Sequence, residues 1–166
     1  MPFLVGAGHL SDAEMTAGST ALKGFCGGNL IECSCSDSPN KFLKTFAKEN
    51  ALFQLKGDPA HFKYEEGSWL ECLGAWKIPV ILMATPSTQG QISGAAPAYV
   101  ALCKEFLVPL IGVVQLGGDW DSEKRALDGL PWCGRLPKKQ IEDSNYLVDS
   151  LLVVENLKRR MKTMNF

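Results

Sequence analysis

Two hydrophobic rhythms alternate along this chain. Phe3-Leu4-Val5, Pro79 to Ala84 and Leu110 to Val114 are continuous apolar runs that stop at small or polar residues. A strand covered on both faces has this pattern, because neither row of its side chains meets water. Between the runs, apolar residues recur at three- and four-residue spacing, as in helices that bury one side. Ser11 and Glu14 stand in the capping-box relation, which predicts a helix from there to about Phe25, ending at Gly27-Gly28. Leu30 to Cys35 alternates as a strand does. Ser38-Pro39 opens a second helix with Phe42, Leu43 and Phe46 on one side, and Lys56 to Glu66 reads as an irregular excursion. Ser68 then caps a short helix carrying Leu70, Leu73 and Trp76.

The second half repeats the order. A loop from Thr85 to Gly94 leads into a helix with Tyr99, Leu102, Cys103 and Phe106. Gly117-Gly118 breaks the strand that follows it, Ser122 to Leu127 makes a short helix, and Trp132 to Leu136 is a final strand stopped by Pro137. Leu147, Leu151, Val154, Leu157, Met161 and Met164 form a stripe at helical spacing, with Asp143 or Ser144 as its cap. Strands alternating with helices imply parallel units joined by right-handed crossovers. The expected fold is α/β, a three-layer sandwich around a mostly parallel sheet of roughly four to five strands. Residues 1–166 make one domain. No internal repeat or low-complexity tract interrupts it.

Composition narrows the function classes. Apolar residues are 46% of the chain and charged residues 21%, enough for a core without staples. A net charge of −1 leaves no basic excess for nucleic acid, so that partner is not expected. Lys158, Arg159, Arg160 and Lys162 read as cations complementing the C-terminal end of a helix. No apolar run approaches the roughly 20 residues of a membrane span. Met1 to Gly8 lacks the basic start of a secretory signal, and the expected location is cytoplasmic. The six cysteines are then reduced thiols, with Cys72 and Cys103 placed as small buried hydrophobes.

In a parallel sheet, ligands bind beyond the carboxyl ends of the strands, so the loops there carry the candidate chemistry. Gly6-Ala7-Gly8-His9-Leu10-Ser11 stands where a phosphate-cradling turn would, and its helix-end amides make it either an anion site or a plain turn. Cys33 and Cys35 would share one face of a strand, as a thiol pair or as core. A zinc site lacks its second cysteine pair, and His9 and His61 are too far apart in the chain to complete one. Asp119 and Asp121 flank Trp120 after a strand, placed either to hold Mg²⁺ or to cap the next helix.

From about Ser68 to Lys139 the chain resembles the dethiobiotin synthetase and cobyrinic-acid amide synthetase group of P-loop NTPases. The resemblance lies in the strand Pro79 to Leu82, the loop Gly90-Gln91-Ile92, the strand Gly112-Val113-Val114 and the turn Cys133-Gly134-Arg135-Leu136-Pro137. The departures are specific. No Gly-Lys-Ser/Thr element follows the first strand, Gln115 stands near the group's adenine-recognising Asn, and Glu65-Glu66-Gly67 is all that remains of its acidic loop. The resemblance implies a P-loop-NTPase-like domain that binds a small molecule or nucleotide and hydrolyses little or none. ATP or another adenine nucleotide would sit between Gln115, Gly117 and Gly118 after one strand and Leu136 and Pro137 after the next. The group's dimers imply a homodimer, with the C-terminal helix a candidate for its contact. Two other readings are a protein-interaction module on an α/β scaffold and a thiol-dependent enzyme using Cys33 or Cys35.

Overall fold

Six parallel strands form one sheet in this computed structural model, which describes residues 2–8, 10–46, 48–138 and 144–164. They are β1 (Phe3–Gly6), β2 (Leu30–Ser34), β3 (Leu52–Lys56), β4 (Val80–Ala84), β5 (Leu110–Leu116) and β6 (Trp132–Leu136), in the spatial order β2-β3-β1-β4-β5-β6. Phe3, Leu4 and Val5 are fully buried, since β1 pairs with β3 on one side and β4 on the other.

Helices α1 (Asp12–Leu22) and α6 (Ser144–Thr163) cover one face, where Met15, Leu22, Val153 and Leu157 pack on Leu4, Ile81 and Val114. Helices α2 (Pro39–Phe46), α3 (Trp69–Ala75) and α4 (Ala95–Glu105) cover the other, around Phe3, Phe53, Trp69 and Leu82. The helix α5 (Ser122–Leu127) joins β5 to β6. The two faces follow from the chain's path. From β1 it runs outward to β2, and every later strand step runs the opposite way, so right-handed crossovers require α1 on one face and α2 to α4 on the other.

The three-layer α/β class stands as the sequence predicts, with one strand more than the expected four to five. The addition is β3, between β2 and β1. Its Leu52, Phe53, Gln54 and Leu55 are all buried, so it shows the continuous run of a two-faced strand, interrupted by one glutamine. Buried Ser19 of α1 donates to Gln54 Oε1 at 2.6 Å, which satisfies one end of an amide carried inside the core, while Nε2 has no partner among the described residues. Helix α1 also ends earlier than expected, giving way at Lys23–Cys26 to a 3₁₀ turn before left-handed Gly27. On α6 the buried stripe runs through Ser150, Val153 and Leu157, while Leu151 points out. The expected cap at Asp143 lies outside the described residues.

No helix among the described residues is long and apolar enough to cross a membrane.

Candidate functional site

The connection after β1 leaves toward one face, and those after β3 and β4 leave toward the other. The loops therefore part above β1 and open a crevice at the carboxyl edge of the sheet. This cavity of about 530 Å³ is walled by the β1–α1 turn, the end of β3 and the start of α4.

Local sequence sets each wall. Ala7 N–H donates to Met83 O at 2.8 Å, extending the ladder one residue past β1. Gly8 then takes φ +101°, and a Cβ there would meet Ala95 Cβ at 3.3 Å, so glycine lets the turn approach α4. At the end of β3, Gly57 is also left-handed and swings Asp58 toward α4. Tyr99 of α4 donates its hydroxyl hydrogen to Asp58 Oδ1 at 2.5 Å, and Ala60 N–H reaches the same oxygen at 2.9 Å. Among the described residues Oδ2 has no hydrogen-bond partner. Burial, and then the Asp58 carboxylate, push the Tyr99 phenol well above its ordinary pKa, so it remains a donor.

Lys56 Nζ lies 2.7 Å from Glu32 Oε2, and this hydrogen bond raises the lysine pKa, keeping it charged. The α1 end of the crevice is already supplied with negative charge. Ser11 and Glu14 form the capping box, occupying the Ser11 and Glu14 N–H groups, and Asp12 lines the cavity. The glycine turn is thus the start of a self-capped acidic helix, which makes it a poor cradle for an anion.

Gln115, Gly117, Gly118, Leu136 and Pro137 do come together, at the ends of β5 and β6. Strand β5 runs to Leu116, two residues beyond the expected end, so Gln115 belongs to the strand and is fully buried. Its Nε2 donates to Gly117 O at 2.8 Å and Asp119 O at 3.0 Å, and Gly117 N–H donates to Leu136 O at 2.6 Å. Gly117 is buried and Gly118 exposed, and neither leaves room for a side chain. A Cβ at Gly117 would fall 2.4 Å from Lys138 Cγ, and one at Gly118 would fall 2.5 Å from Pro86 Cγ. Leu136 is buried and Pro137 half-buried.

No protein-family model and no curated protein matches this sequence.

The thiols are not activated. Burial pushes Cys35 up to about 12 and Cys33 higher still, and no nearby cation outweighs it. Asp121 caps α5, accepting from Glu123 N–H and Lys124 N–H, both at 3.1 Å. Among the described residues no cluster of three or more His, Cys, Asp and Glu can hold a metal ion. A larger hollow of about 610 Å³ runs between β6 and α6; several of its polar groups pair with one another, while Trp132 Nε1 at its wall is buried without a hydrogen-bond partner among the described residues. Arg135 pairs with Asp149 at 2.9 Å, and Asn156 donates to Cys133 O at 3.0 Å.

Sequence reasoning missed Lys56, Asp58 and Tyr99 as site residues. The available signal was the run Leu52 to Leu55 followed by Lys-Gly-Asp, an apolar strand giving way to a glycine turn with charge on both sides.

Proposed function

We propose that this chain is a small-molecule-binding α/β domain, P-loop-NTPase-like in its sheet but without the phosphate loop, whose ligand enters the crevice above β1. The observation that carries this reading is Asp58. Its carboxylate is fixed from one side by Tyr99 and Ala60 N–H, its second oxygen has no partner among the described residues, and the residue lines the cavity. Binding pockets are typically about 300–1,000 Å³ with a few oriented polar groups, and the crevice has that size, with a lining that mixes apolar and charged residues. The platform between Gln115 and Pro137 supports the reading less, because Gln115 is fully buried within the strand and its amide nitrogen is committed to backbone carbonyls. A thermal-shift screen against a metabolite panel tests the proposal. Compounds that raise the melting temperature should lose that effect in Asp58→Ala; hits that are indifferent to Asp58 would refute it.

A second reading, an interaction module that includes a homodimer, rests on the outward face of α6. Val148, Leu151 and Leu152 lie there at helical spacing, each more than half exposed. Light scattering at tens of micromolar separates monomer from dimer.

A further inference from the structure

We infer that the crevice takes an uncharged, hydroxyl-bearing ligand of nucleoside size and rejects the corresponding polyphosphate. The inference rests on the crevice reading above and adds the chemical class. Its polar lining is acceptor-rich. Asp12 and Asp58 face the cavity, and the lysine there, Lys56, is held by Glu32 at 2.7 Å, outside the cavity lining. A triphosphate would therefore meet two carboxylates and a cation whose charge is already matched. The amides of the α1 start offset this only in part, since the capping box uses those of Ser11 and Glu14 and the acidic Asp12 and Glu14 lie in that helix's first turn.

Hydroxyl groups suit the same lining. A carboxylate held in place by a donor on one oxygen offers the other to a hydroxyl, which is how an acidic residue near a strand end holds a ribose diol in dinucleotide-binding sheets. Apolar groups line the cavity beside these acceptors, with Leu10 and the Tyr99 ring half-buried and Met15 and Leu55 buried beneath them. Apolar contact beside acceptors suits a glycoside such as a nucleoside.

Adenosine and ATP differ in the phosphates alone, so the pair isolates the charge. By calorimetry in metal-free buffer, adenosine should bind at least about tenfold more tightly than ATP. Raising salt should strengthen ATP binding by screening repulsion. Asp12→Asn with Asp58→Asn should weaken adenosine and strengthen ATP. Both aspartates are exposed, so the fold should survive, and the melting temperature of the variant checks that. ATP binding more tightly than adenosine, weakening with salt and still dependent on Tyr99, would overturn the ligand class and leave the crevice standing. No heat from either compound at millimolar concentration would overturn the class. Binding of either compound unchanged in both the aspartate variant and Tyr99→Phe would overturn the class and the crevice together.

Discussion

Tyr99 reaches 2.5 Å across the crevice to Asp58, tying the first turns of α4 to the loop that leaves β3. Two walls of the cavity, separated by 41 positions in sequence, are thereby held at a fixed distance. Tyr99→Phe removes the tie and keeps the ring. Because Asp58 remains exposed to water, stability should fall by about 1 kcal/mol or less. Affinity for the crevice ligand should fall more visibly, by about threefold to tenfold, because the carboxylate is no longer oriented. Urea melts and titration of the same variant check both halves.

Gly74 sets how closely α3 approaches the end of α4. A Cβ added there would lie 2.0 Å from Phe106 O, a backbone atom that cannot move without shifting the turn after α4. Gly74→Ala should cost about 2–3 kcal/mol, despite alanine's higher helix propensity. Gly24 is the control, since nothing lies within 4 Å of a Cβ built there. Denaturant midpoints of the two variants should differ widely.

The cysteines should behave as packing groups. With Cys35 near 12 and Cys33 higher, thiolate is scarce at neutral pH. Peptide-resolved alkylation with iodoacetamide at pH 7.5 should label Cys33 and Cys35 in the folded protein far more slowly than in urea. Rapid labelling of either would restore the thiol-enzyme reading.

Glu14 links acid stability to one ion pair. Lys138 Nζ, at 2.6 Å, is the chief cause of its lowered pKa, followed by the Ser11 backbone N–H. A carboxyl whose folded pKa is depressed contributes stability that is fully present above its ordinary value of 4.5 and lost as pH falls through the lowered folded value. Glu14→Gln keeps a residue compatible with the capping box and removes the charge. The excess stability of the native protein over this variant should therefore shrink as pH drops below 4.5. A constant difference from pH 7 to about 3 would contradict the assignment.

Much of the architecture was legible because burial leaves a direct trace. Val80 to Ala84 has no exposed side chain and reads as a strand at sight. Ser11 with Glu14, and Ser68 alone, mark two helix starts; the structure shows a capping box at each, with Glu71 completing the second. Strand β3 escaped because Gln54 interrupts its apolar run, and the partner that makes the glutamine tolerable, Ser19, lies 35 residues earlier. The site was harder still. Asp58 matters through Tyr99 and through the reversal of strand order above β1, and neither relation is local in sequence. Gln115 misled for the opposite reason. It looked like the first loop residue after a strand, yet its pairing with Ala84 and Arg135 keeps it inside the sheet.

A ligand seated in the crevice above β1 should be visible by amide chemical-shift mapping. Spectra of the ¹⁵N-labelled protein should be recorded with and without the compound that raises its melting temperature most. The account predicts perturbations concentrated at Gly6 to Gly8, Lys56 to Asp58 and Ser93 to Tyr99, all on the three walls of that cavity. Perturbations centred on Gln115 to Gly118 and Leu136 to Lys138, with the crevice silent, would contradict it.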